Sequence, residues 1–263
     1  MIDYTAPEGM LEGRTLLVTG ASGGLGSELA CAAAGLGATV VLMGRSIKRL
    51  EAVYDRIEQA GGPQPAIYPL DMEGASAKDY DDLVEVLRRE LGGLHALVHC
   101  AAALGNPSPL QHYVAETWSK VFAANLHGPF LLSRACIPLL QESGDGRMLF
   151  TLDDKSRAYW GAYGVSKAAV ESMMKVFADE LEMLVDQDGR AALTVAAVAP
   201  GPMATRLRAF AYPGEARDAQ PPPASKVDAF LRLLGPEGRG RCGEIIREAP
   251  HSESDSESQS AAD

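Results

Sequence analysis

The stretch "LLVTGASGGLGSELA", Leu16–Ala30, runs from a short apolar segment through a glycine-rich turn into a helical pattern. Gly20, Gly24 and Gly26 stand as G-x3-G-x-G. Such spacing lets the chain turn sharply, brings the backbone close to a ligand, and leaves the first N–H groups of a helix free to meet an anion. A glycine turn that only packs a helix on a strand is the plain alternative. Coming straight after a clear first strand, the stretch reads as a pyrophosphate cradle lined by Gly20, Ser22, Gly24, Leu25 and Gly26.

Outward from this turn, apolar runs alternate with helical patterns. The runs at 14–20, 38–44, 65–71, 95–101, 147–152 and 192–200 are nearly continuous in apolar residues, as strands covered on both faces are. A last strand is expected at 243–248. Helices are expected near 24–35, 46–60, 77–91, 115–141 and 159–185. This alternation predicts an α/β fold with one doubly wound parallel sheet, whose ligands bind beyond the strand ends. Two segments break the rhythm. Residues 203–223 are too long for a simple connection and are expected to form a mobile flap over the site. Residues 250–263, rich in serine and acid, are expected to be a disordered tail after a single domain at 1–249.

At 263 residues the chain can bury a full core. Its net charge of −11 speaks against nucleic acid or an anionic membrane as partner. The four cysteines are scattered without zinc-ligand spacing, and His99, His112 and His127 form no metal-like group, so no metal is expected. Asp3, Glu8 and Glu12 interrupt the first residues, and no apolar run is long enough to span a bilayer. A cytoplasmic protein is expected.

Further along, Tyr163 and Lys167 stand four residues apart and so share one helix face, and Pro200-Gly201 follows the sixth strand. Together with Thr19-Gly20-x3-Gly24-x-Gly26, these occur in the order and spacing of the short-chain dehydrogenase/reductase family, which the chain resembles over about residues 11–248. Within that family "YWGAYGVSK" is most similar to a bacterial group, the YciK-like oxidoreductases. The resemblance implies a Rossmann fold, a nicotinamide cofactor and a homodimer or homotetramer. It also implies that Ala101, Pro200 and Gly201 lie against the cofactor, with Tyr163 exchanging a proton with a carbonyl or alcohol. Lys167 would hold the nicotinamide ribose and favour the phenolate of Tyr163. By the same resemblance Asn125 would fix a water linked to Lys167, and Asp71 would meet the adenine amine; Asp71 also suits a turn. An asparagine is usual where this chain has Cys100, and its absence removes hydrogen bonds from the sheet centre.

The second strand ends Met43-Gly44-Arg45, without the acid that would bind the 2′-hydroxyl of NAD. Arg45, with Ser22 and Arg49 nearby, points to NADP(H) in preference to NAD(H); a solvated arginine at a helix start is the other reading. The family serine is the difficult position. Counting forward from Gly146 puts Asp153 there, whereas counting back thirteen residues from Tyr163 reaches Phe150, because the loop is about three residues short. Thr151 is expected to face away, and Ser156 lies far along the loop. Two functions follow: an NADP(H)-preferring oxidoreductase on a carbonyl or secondary alcohol, or a dinucleotide-binding pseudoenzyme weakened by loss of the serine. Leu104, Trp160 and Met203 are expected to line the substrate pocket. Met173, Met174, Phe177 and Met183 suggest an oligomer face on the helix at 159–185, or simply core.

Overall fold

Seven short strands form the centre of the molecule: β1 (Thr15–Thr19), β2 (Thr39–Gly44), β3 (Ala66–Pro69), β4 (Ala96–His99), β5 (Gly146–Thr151), β6 (Leu193–Ala199) and β7 (Ile245–Arg247). The structure is a computed structural model that describes residues 4–182, 192–216 and 218–248. The strands pair in the order β3-β2-β1-β4-β5-β6-β7, all parallel. After β3 the chain crosses back to lay β4 beside β1, so the strand order reverses there. That reversal opens a crevice at the carboxyl ends of β1 and β4, the usual ligand position in such sheets.

Strands this apolar need cover on both faces, and the helices supply it. On one face, Leu29 of α1 (Gly24–Gly35), Val53 and Ile57 of α2 (Ile47–Gln59) and Phe230 of α8 (Asp228–Leu234) pack against Leu16, Val18, Val40 and Leu42. On the other, Tyr80 and Leu83 of α3 (Ala77–Leu91), Leu132 and Cys136 of α5 (Gly128–Glu142), and Val170 and Met174 of α6 (Gly161–Glu182) cover Leu17, Leu97 and Met148. Local signals set the helix ends. Asp79 accepts from the backbone N–H and the hydroxyl of Ser76 at the start of α3, and Gly92 stops that helix at φ 75°.

Four details differ from the pattern read in the sequence. The helix expected at 115–141 is α4 (Ala115–Phe122) and α5, joined by a π-turn at Ala123–His127 that contains Asn125. The flap region holds a short helix, α7 (Arg206–Ala211), and α8 had no counterpart in the expected pattern. The helix expected from 159 starts at Gly161, because Tyr159, at φ 72°, lies outside helical geometry. Met174 and Phe177 are buried in the core, which leaves Phe130, Val165 and Val176 as the large apolar side chains exposed on α5 and α6. Met183, the end of that helix and the tail at 250–263 lie outside the described residues.

Two buried charge clusters tie the sheet to its surroundings. Arg147 of β5 is fully buried; it meets Asp145 at 2.6 Å and donates to the carbonyls of Leu233 and Gly235, thereby holding the end of α8. Lys226 pairs with Glu248 at 2.5 Å with both side chains almost fully buried, joining the end of the flap to the residue after β7.

Candidate active site

A cleft of about 780 Å³ runs along the carboxyl ends of the strands and is lined by every expected catalytic and cofactor-binding residue except Asn125, which lies just behind it. Its deeper part is built by the glycine turn. At Gly20, φ is 65° and an added Cβ would lie 2.8 Å from the backbone of Ala101. At Gly26 an added Cβ would collide with the Gly20 carbonyl, and at Gly24 it would lie 2.8 Å from Thr205 Cγ2. Glycine at 20 and 26 is thus a condition of the turn itself. Thr19 Oγ1 accepts from the N–H groups of both Cys100 and Ala101, each at 3.1 Å. These bonds steady the sheet centre where the missing asparagine had suggested a gap.

At the far end of the cleft, Arg45 lies 4.0 Å from Asp71, and both are largely exposed. Ser22, Ser46 and Arg49 line the same corner. Asp71 Oδ1 accepts from the N–H of Glu73, so this residue shapes a turn as well as facing the cleft. The corner offers two guanidinium groups and two hydroxyls around open space, with Asp71 at its edge.

At the other end, Tyr163 and Lys167 project from the first turns of α6. The Tyr163 hydroxyl donates to Asp153 Oδ2 at 2.8 Å. Lys167 Nζ donates to the Thr151 carbonyl at 2.9 Å and lies 5.9 Å from the centre of the Tyr163 ring. Burial holds the Tyr163 hydroxyl well above its ordinary pKa, and the charge and hydrogen bond of Asp153 push it further in the same direction. Burial also lowers the pKa of Lys167, which Asp153 partly offsets. Burial and the neighbouring carboxylate thus both favour the phenol, against the pull of the Lys167 ammonium.

Asn125 supports the tyrosine from behind. Its Oδ1 accepts from Ala103 N at 2.7 Å, and its Nδ2 donates to the Ala103 carbonyl and to Ser166 Oγ, each at 2.9 Å. Ser166 in turn donates to the Tyr163 carbonyl at 2.8 Å. Both amide hydrogens are therefore spent within the chain, and a water-mediated link to Lys167 has to use an acceptor oxygen of Asn125. Thr151 lines the cleft with its hydroxyl turned to Cys100 Sγ at 3.7 Å, and Ser156 is exposed. The carboxylate of Asp153 is thus the group that meets the Tyr163 hydroxyl.

Among the cleft residues that escaped the sequence reading is Lys155. Two residues past Asp153, it places Nζ 3.8 Å from Asp153 Oδ1 and 5.2 Å from the centre of the Trp160 ring. Nothing local marks it, because the shortened loop has no matching family position. Across the cleft mouth, α7 and the flap contribute Met203, Arg206, Arg208 and Phe210. Arg208 makes a two-pronged pair with Glu215 and stacks 3.7 Å from the Tyr212 ring, which faces Trp160. The flap therefore covers the predicted end of the site.

The sequence profile described as short chain dehydrogenase matches residues 14–216. This chain belongs to the short chain dehydrogenase family. It is 34% identical over 243 residues to the uncharacterized oxidoreductase YciK of Escherichia coli K12, covering 91% of this chain and 93% of that protein. A short chain dehydrogenase structure from Pseudomonas syringae superposes with a TM-score of 0.89 at 40% identity, over 94% of this chain and 99% of the other. A family member from Escherichia coli CFT073, solved with NADPH, superposes with a TM-score of 0.86 at 34% identity, over 93% of this chain and all of the other. Membership makes this chain one of a family of oxidoreductases. Among the described residues no helix is long and apolar enough to cross a membrane.

Proposed function

We propose that this protein is an NADP(H)-preferring oxidoreductase that works on a carbonyl or secondary alcohol, chiefly in the reducing direction. The observation that carries the reading is the Tyr163 hydroxyl, buried beside Lys167 at one end of a cleft whose other end is the glycine turn and Arg45. The tight glycine turn, in which an added Cβ at Gly20 or Gly26 would meet the chain's own backbone, lines the cleft ahead of α1 and fits a dinucleotide pyrophosphate. Arg45, Arg49, Ser22 and Ser46 suit the 2′-phosphate of NADP, and the NADPH complex of the Escherichia coli relative supports the same preference. Asp71 would meet the adenine, while Ala101, Pro200, Gly201 and Lys167 would face the nicotinamide half.

When bound, the reduced nicotinamide supplies hydride to the substrate carbon. The chain's own task is the proton. Tyr163 is held as a phenol by burial and by Asp153, so it carries the proton that a carbonyl oxygen would take up. The same setting makes it a reluctant base toward an alcohol. NADPH oxidation with a panel of small aldehydes and ketones tests the reading, with Tyr163→Phe expected to abolish it.

One observation favours a second reading. A carboxylate at Asp153 accepts from Tyr163 where a neutral hydroxyl would donate to the substrate, as expected of a pseudoenzyme that binds dinucleotide for a partner to sense. Tight NADPH binding without turnover of any carbonyl compound would favour it. Exposed Phe130, Val165 and Val176 support a homo-oligomer through α5 and α6, which light scattering at micromolar concentration would test.

A further inference from the structure

We propose that Lys155 supplies the hydrogen bond to the substrate oxygen that the family serine would otherwise give, with Asp153 holding it in place. The proposal rests on the oxidoreductase reading above and adds a catalytic residue to it.

The argument begins with the loop. Between Asp153 and Trp160 the chain is pinned rather than loose. Lys155 N–H donates to the Asp153 carbonyl at 3.1 Å, and the Lys155 carbonyl accepts from Arg157 N–H at 2.8 Å. That carbonyl also packs so closely on Gly164, the residue after Tyr163, that an added Cβ there would collide with it. The backbone of Lys155 is thereby fixed against the first turn of α6, and its side chain points into the cleft.

There the side chain is 14% exposed, which is unusual for a lysine without a task. Its ammonium stands 3.8 Å from Asp153 Oδ1, while Tyr163 occupies Oδ2 of the same carboxylate at 2.8 Å. The Trp160 ring supports it at 5.2 Å and also contacts the Tyr163 ring at 5.6 Å. A hydrogen-bonded phenol and an ion-paired ammonium thus converge on the two oxygens of one carboxylate at the substrate end of the cleft. An ammonium carries three N–H donors and can serve Asp153 and a substrate oxygen together.

The chemistry follows from this arrangement. Asp153 alone would repel the negative charge that grows on a carbonyl oxygen as hydride reaches the carbon. Lys155 cancels that charge and offers a donor to the oxygen. The Tyr163 O–H turns from Asp153 to the same oxygen and its proton completes the alcohol, leaving the phenolate between Lys155 and Lys167. Charged or ionisable groups facing Tyr163 are Asp153 and Lys155 from the loop, Lys167 from α6 and the Cys100 thiol from the end of β4. A lysine placed this way does the work of an oxyanion donor.

The test combines rescue with a titration. Lys155→Met should lower kcat/KM on small aldehydes and ketones by roughly 10²–10³, the usual loss of one oxyanion donor. Lys155→Arg should keep most of the rate. Asp153→Ser combined with Lys155→Met should recover at least about tenfold over Lys155→Met alone, since serine restores a neutral donor. A separate readout uses the ligand-free protein: the absorbance of ionised Tyr163, taken against Tyr163→Phe, should titrate at higher pH in Lys155→Met than in wild type. A Lys155→Met enzyme within twofold of wild type overturns the proposal, as does a loss that serine fails to rescue. If wild type binds NADPH but turns over no carbonyl compound, the oxidoreductase reading fails by itself. In that case the role of Lys155 falls with it, whereas a Tyr163 titration unmoved in Lys155→Met rejects the proposal even where wild type is active.

Discussion

The hydroxyl of Tyr163 and the carboxylate of Asp153 are hydrogen-bonded at 2.8 Å, with the tyrosine as donor. Burial and this carboxylate both raise the tyrosine's pKa, so the phenol persists well into alkaline solution. An acid that stays protonated serves reduction; oxidation of an alcohol needs the phenolate. Reduction rates should therefore be nearly flat between about pH 6 and 9, and alcohol oxidation should rise about tenfold per pH unit over the same range. Asp153→Asn should move the oxidation profile to lower pH. An oxidation rate already level near neutral pH would show that cofactor binding reverses the shift.

Arg45 lies at the edge of the nucleotide corner, 4.0 Å from Asp71 and 68% exposed. A charge-assisted bond to a 2′-phosphate contributes about 1.5–3 kcal/mol, and screening at so exposed a site favours the low end. Arg45→Ala should weaken NADPH about tenfold in calorimetry and leave NADH within about twofold. Equal losses for both would assign Arg45 to the fold instead.

Much of this architecture is visible in the residues before any coordinates. Near-continuous apolar runs such as Leu193–Ala199, alternating with longer helical patterns, read as strands with both faces covered, and the glycine turn follows the first of them. Tyr163 and Lys167 share a face through helical spacing alone. Other features depend on partners too distant to show in a local pattern. Arg147 looks like a strand-end residue, but its burial is decided by carbonyls 86 and 88 residues away. The π-turn at Asn125 accompanies amide bonds to Ala103 across the cleft floor. Lys155 was invisible because its position is set by a glycine in the next helix.

The Arg147 cluster makes a stability prediction. Asp145 meets Arg147 at 2.6 Å, Arg14 at 2.9 Å and Arg239 at 3.4 Å, and Arg147 has no exposure to water. Asp145 is partly exposed, but removing it strands the fully buried Arg147 charge, at a cost of up to about 3–5 kcal/mol. Asp145→Ala should lower stability by that amount in urea unfolding while leaving the chemistry of any folded protein intact. A change below about 1 kcal/mol would mean that the Leu233 and Gly235 carbonyls suffice for Arg147.

His99, at the end of β4, is buried against the Phe150 ring with centroids 4.7 Å apart, and its Nε2 pairs with Ser133 Oγ at 2.9 Å. Burial, with the Lys167 charge adding to it, pushes its pKa from 6.5 down to about 3. The unfolded chain therefore takes up a proton near pH 6.5, which the native chain refuses until about pH 3. Between those values the unfolded state binds more protons, and stability falls as pH falls, with a slope approaching about 1.4 kcal/mol per unit. Above the unfolded value His99 contributes no pH dependence. His99→Gln removes this titration but leaves the carboxylates that also govern acid stability. Between about pH 7 and 5 the wild type should therefore lose about 2 kcal/mol more than His99→Gln, measured by urea unfolding at each pH. Equal losses in the two proteins would show that His99 accepts its proton in the native state, and that the buried stack with Phe150 tolerates an imidazolium.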